Sequence, residues 1–116
     1  MSAALTAPDE APERLVEMSA DVRAAVLADP AGGLVAASGT DRARARRIAG
    51  LAHDLVGVAD AASEPNEQVE AQTGEGAVFA VRNARYTLAC VTRRLALPAL
   101  VLYDMRQTLL ALEAEA

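Results

Sequence analysis

A β-strand has two faces, and successive side chains point to opposite ones. Residues 22–27, VRAAVL, place Val22, Ala24 and Val26 on one face and Ala25 and Leu27 on the other. Both sets are apolar, so this strand needs cover on both sides. Residues 86–92, YTLACVT, make the same demand. Two such strands require a sheet with helices on each face.

The rest of the chain supplies that cover. DPAGG at 29–33 is a hairpin turn: proline presets one backbone angle and glycine allows positive φ. Residues 34–38 return as a second strand, Gly39 breaks it, and Thr40 is placed to cap a following helix. Residues 40–62, TDRARARRIAGLAHDLVGVADAA, form the longest helix. After a loop at 63–66, residues 67–73 alternate, with Val69 and Ala71 facing one way and Gln68, Glu70 and Gln72 the other. That pattern predicts a half-exposed edge strand. Gly74 to Gly76 turns the chain into a buried strand at 77–81, and residues 82–85 connect tightly to the strand at 86–92. Pro98 opens a last helix running to about residue 112, with Leu102, Met105, Leu109 and Leu112 on one stripe and Val101 beside it. A short helix at 12–20, with Leu15, Val16 and Met18 inward, precedes the first strand, and residues 1–11 read as a flexible tail before a single domain at 12–116. The expected fold is α+β: a five-stranded antiparallel sheet with the long helix on one face and two helices on the other, in the order α-β-β-α-β-β-β-α.

The middle helix carries the candidate interaction residues. Its core arc is expected to hold Ile48, Leu51, Ala52, Leu55, Val58, Ala59 and Ala62. Across from it runs a seam of mostly small residues, Gly50, His53, Gly57 and Ala61. A glycine inside a helix costs about 1 kcal/mol against alanine, so two on one side point to close packing there, with a second copy of the same helix as the expected occupant. Arg42, Arg44, Arg46 and Arg47 crowd the first turns. Each is opposed by the helix dipole, by about 0.3–1 kcal/mol, and Asp41 offsets only part of this. A solvated helix start explains four such residues poorly, and Arg42, Arg46 and Arg47 are the candidate partner contacts.

Composition narrows the functional classes. Of 116 residues, 53% are hydrophobic, enough for a folded core, but only 3% are aromatic, so Ala, Val and Leu must fill it. Net charge is −5, which argues against general nucleic-acid affinity. The single cysteine, Cys90, permits no internal disulfide and no cysteine-based metal site, and is expected to be a buried core residue. His53 is the only histidine and lacks the companions of a metal site or of an activated nucleophile. The 29–33 turn has no Lys-Ser/Thr after it and is no phosphate loop. No catalytic residue, cofactor or metal is expected, so the chain does not read as an enzyme. Nothing resembles a signal peptide or a membrane span, which sets the expectation of a cytoplasmic protein with no membrane partner.

The segments VRAAVLADPAGGLVAASG at 22–39, EQVEAQTGEGAVFAVRNARYTLACVT at 67–92 and LVLYDMRQTLLAL at 100–112 resemble the roadblock family of dynein light-chain type, in its bacterial branch. The resemblance implies a dimer in which the long helices pack antiparallel and the edge strands pair, extending the sheet. On this sequence it adds Val69 and Ala71 to Gly50, His53, Gly57 and Ala61 as interface residues. It also implies a small Ras-like GTPase as partner, within signalling systems that can include sensor kinases, and a regulator or scaffold with no hydrolysis of its own. The first helix is shorter here than the family's. The alternative is a small-molecule-sensing or structural homodimer on a profilin-like sheet, marked by a pocket walled by Phe79, Tyr86 and the last helix.

Overall fold

The computed structural model describes residues 7–62, 68–72, 76–94 and 96–113, with side chains described at all of these except 58–62, 68, 69, 72 and 113. A 3-10 turn, Pro8–Glu10, leads into α1, Ala11–Met18. Then come β1 (Val22–Ala28), β2 (Leu34–Ser38), α2 (Arg42–Ala62), β3 (Gln68–Gln72), β4 (Gly76–Arg82), β5 (Thr87–Arg93) and α3 (Pro98–Glu113). The 3-10 turn and the first residue of α1 thus fall within the stretch 1–11 expected to be a tail.

The five strands form one antiparallel sheet in the order β2-β1-β5-β4-β3. The two strands that are apolar on both faces, β1 and β5, lie side by side, with Val26 opposite Ala89 and Leu27 opposite Leu88. The register shifts between Val22 and Ala24, as it does where a strand carries an extra residue. Beyond that shift Val22 shares a layer with Ala25 and Leu27, while Ala24 joins Val26 and Ala28 in the other.

One layer of core gathers Leu15 of α1, Phe79 of β4, Leu88 and Cys90 of β5, and Val101, Met105, Leu109 and Leu112 of α3. The other sets α2 against Ala24, Val26, Ala28, Ala80 and Ala89. The long helix therefore covers one face and the two shorter helices the other, as the apolar strands require. Met18 of α1 is 41% exposed, against the expectation that it turns inward; Leu15 and the buried Ala11 and Pro12 do that work.

Both hairpin turns near the candidate site are fixed by side chains. Asp29 Oδ1 accepts from the backbone N–H of Ala31 at 3.0 Å and of Gly33 at 2.8 Å, and Gly32 takes φ +91°. Asn83 Oδ1 accepts from the N–H of Arg85 and of Tyr86, each at 2.8 Å. These are the local bonds that make Asp and Asn strong turn residues.

Candidate functional site

The inward stripe of α2 is Ala45, Ile48, Ala49, Ala52 and Val56, all buried. Their spacing follows the helical repeat of about 3.6 residues. It is rotated from the expected arc: Leu51 is 47% exposed and Leu55 half-buried. A leucine outweighs an alanine in an amphipathic pattern, whereas the sheet surface beneath, itself largely alanine, accepts small side chains at close range. Val58, Ala59 and Ala62 lie on α2 with side chains outside the described residues.

The helix starts with Asp41, not Thr40, as its cap. Asp41 Oδ1 accepts the N–H of Arg44 at 2.8 Å, satisfying one of the orphan donors of the first turn. Thr40 Oγ1 is buried with no hydrogen-bond partner. Arg42, Arg44, Arg46 and Arg47 are all exposed, and none forms an ion pair with a described residue. The carboxylate of Asp41 beside them follows the field of the helix terminus, while the four guanidinium groups oppose it.

Among the seam residues, Gly50 and Gly57 have open space where a Cβ would sit, with nothing within 4 Å. His53 is exposed and lies against Gly32 of the β1–β2 turn. Ala61 is helical, with its side chain outside the described residues. On the sheet, β3 is an edge strand bonded to β4, with Val69 opposite Ala80 and Ala71 opposite Val78. Ala71 is half-buried, and the Val69 side chain is outside the described residues. The outer face of α2 thus combines open glycine positions, an exposed leucine and a row of arginines.

His53 and Cys90 are kept apart by the sheet. Cys90 is wholly buried in the α1/α3 layer, its Sγ 3.6 Å from Met105 Sδ. Burial pushes its thiol pKa from 9.0 up to about 12. His53 stands on α2, across the sheet. Among the described residues no group of three or more His, Cys, Asp or Glu side chains is placed to hold a metal ion, and no helix is long and apolar enough to cross a membrane.

Two cavities flank the β4–β5 turn. One, of about 210 Å³, is lined by Pro30, His53, Val56, Gly57, Arg82, Asn83 and Thr87. The other, of about 370 Å³, is lined by Val81, Arg82, Asn83, Ala84, Arg106, Leu109 and Leu110. The pocket expected from Phe79, Tyr86 and the last helix takes a different form. Phe79 is wholly buried and presents no surface, Tyr86 is half-buried beneath Arg85, whose guanidinium carbon lies 5.8 Å from the ring centre, and α3 walls the larger cavity through Arg106, Leu109 and Leu110. Tyr103 of α3 is 59% exposed.

A single antiparallel sheet between one long helix and two shorter ones, with a side of the long helix left open, defines a three-layer α+β sandwich. It is the roadblock-type fold found in bacteria. A Roadblock/LC7 domain from Streptomyces avermitilis superposes with a TM-score of 0.86 at 21% identity, covering 95% of this chain and 98% of that one. A second Roadblock/LC7 domain structure from that organism gives 0.74 at 26% identity, over 89% and 95% of the two chains. Myxococcus xanthus MglB gives 0.72 at 16% identity, over 95% and 94%. No protein-family model matches the sequence, and no curated protein matches it significantly.

Proposed function

We propose that this chain is a non-enzymatic regulator or scaffold that acts as a homodimer on a small Ras-like GTPase in the cytoplasm. The observation that carries the reading is the outer face of α2: Gly50 and Gly57 open to close approach, Leu51 exposed between them, and Arg42, Arg46 and Arg47 exposed at one end. Small residues let two helix backbones come together, and an exposed leucine gains by burial in that contact. The free edge of β3 adds a second element on which two copies can pair. The GTPase itself enters through the resemblance of the sequence to roadblock proteins, and the roadblock-type fold supports it.

The mechanism is surface complementarity. Two α2 helices side by side present two arginine clusters, and a partner whose acidic surface changes with its bound nucleotide fits that array in one state better than in the other. No step of bond making falls to this chain.

The test is capture from a lysate of the source organism by the immobilised full chain, with the lysate loaded with GDP or with a non-hydrolysable GTP analogue. A small GTPase retained preferentially in one nucleotide state, and lost when Arg42, Arg46 and Arg47 are replaced by Glu, supports the reading. Absence of any GTPase under both nucleotides removes its main support.

A further inference from the structure

We infer that the outer side of α1 and α3 on one copy of this chain docks one flank of α2 on another, in a head-to-tail contact that sets glutamates against arginines.

Two like-charged ridges of opposite sign stand on the molecule. On α1, Glu10, Glu13 and Glu17 are exposed and recur at i, i+3 and i+7, so they fall on one side of the helix. With Arg14 they line a depression of about 390 Å³. On α2, Arg44, Arg47 and Leu51 recur at the same spacing and are exposed. At 3.6 residues per turn that flank lies about a third of a turn from Gly50, His53 and Gly57. It therefore stays open when the glycine seam is covered by a second α2.

Within one chain neither ridge is relieved. The three glutamates and the two arginines form no ion pair with a described residue. Like charges at this spacing destabilise a helix. Glu17 in the last turn of α1 and Arg44 in the first turn of α2 also oppose the helix dipole. The ridges are complementary, yet α1 packs on one face of the sheet and α2 on the other. No chain can bring its own two ridges together, so the match is made between copies. A contact between unlike surfaces of identical chains need not close on itself and can repeat.

Apolar surface accompanies the charge on both sides. Beside α1 on the same face of the sheet, α3 buries Val101, Met105 and Leu109 and turns Leu100, Tyr103 and Leu110 outward, each more than half exposed. Leu51 is the large apolar side chain of the α2 flank. The charges select which surfaces meet, and the apolar groups gain by leaving water. Each ridge has one opposite charge nearby, Arg14 on α1 and Asp54 on α2, and the balance stays with the glutamates on one side and the arginines on the other.

Sedimentation velocity of the full chain tests this, over a concentration series in about 0.02 M and about 0.5 M sodium chloride. In low salt the weight-average mass is expected to climb past that of a dimer as concentration rises, and in high salt to fall back. Glu13→Arg with Glu17→Arg, and Arg44→Glu with Arg47→Glu, change exposed residues only. Each pair is expected to weaken the association by about tenfold or more, because like charges then face each other. Mixed in equal amounts, the two variants are expected to associate again, since each supplies the charge that the other has reversed. Where circular dichroism shows a reversed variant unfolded, glutamine at the same two positions replaces it, with a loss of association again expected. The glutamate variant keeps Arg42, Arg46 and Arg47, so it should capture a GTPase as the parent does, and the two readings fail separately. A parent chain that grows no larger than a dimer in low salt overturns the contact. So does a variant that assembles like the parent, or a mixture of folded reversed variants that assembles no better than either alone.

Discussion

His53 rests on Gly32. A Cβ placed on Gly32 would fall 3.0 Å from His53 Cγ, and Gly32 holds φ at +91°. The β1–β2 turn and α2 are thereby locked together by a position that only glycine fills without strain. Gly32→Ala is expected to lose about 1–2 kcal/mol from the left-handed backbone alone, with crowding against the imidazole added. Urea unfolding measures it. His53→Ala in the same background should recover the crowding part and leave the backbone part; full recovery would show that the φ of this turn is unimportant.

Gly57 offers the converse case. Nothing lies within 4 Å of a Cβ built there, so within one chain a larger residue meets no obstacle, and replacing a mid-helix glycine gains up to about 1 kcal/mol of helix propensity. Gly57→Leu is therefore expected to convert a dimer to monomer, by light scattering on a sizing column, without lowering the helix content seen by circular dichroism. A dimeric variant, or a monomeric parent at high concentration, would sink the pairing of α2 helices.

Asp41 and Thr40 should respond in opposite ways. Asp41→Ala removes the acceptor for the Arg44 N–H and one negative charge beside four arginines, for an expected loss of about 0.5–2 kcal/mol. Thr40→Val discards a buried hydroxyl that has no partner, so its stability should hold or rise. Thermal melts of the two variants decide; equal losses would mean that both side chains cap the helix.

The Cys90 thiol, pushed by burial from 9.0 up to about 12, should resist thiol reagents at neutral pH until the chain unfolds. The sign of its pH effect follows. The folded state holds the proton more tightly than the unfolded chain, so this contribution to stability is complete below pH 9.0 and declines as pH rises toward about 12. Cys90→Ala should flatten that alkaline slope in a urea-midpoint series taken across the interval; an unchanged slope would assign it to other groups.

The order of elements was legible because it rests on local chemistry. Asp29 to Gly33 could only turn, Pro98 could only open a helix, and strands apolar on both faces could only lie centrally. The phase of α2 was not, because a leucine outweighs an alanine in any reading of amphipathicity, while the face of the sheet that receives the helix admits Ala45 and Ala49 and leaves Leu51 outside. Which of Thr40 and Asp41 caps the helix depends on a single backbone turn that both residue types satisfy in sequence. Among the candidate interaction residues, Gly50 and Gly57 are open and Arg42, Arg46 and Arg47 exposed, while Ala61 and Val69 have side chains outside the described residues. The cavity beside Asn83 was not legible at all. Its walls come from Arg82 and Asn83 on one side and Arg106 to Leu110 on the other, brought together by the docking of α3.

The layer beneath α2 is built chiefly from Ala24, Ala28, Ala45, Ala49, Ala52, Ala80 and Ala89. Methyl groups have no rotamers to exchange, and enlarging one overfills the layer at a cost of about 1–3 kcal/mol. The helix is therefore seated closely on its sheet, with Val26, Ile48 and Val56 the only larger buried side chains in the contact among the described residues. A molecule that docks on the outer side meets a surface already in its final position, and little of its binding energy is spent on ordering that surface. The seat admits little larger than alanine, while the arginines, the glycines and Leu51 face outward and are not held by that core.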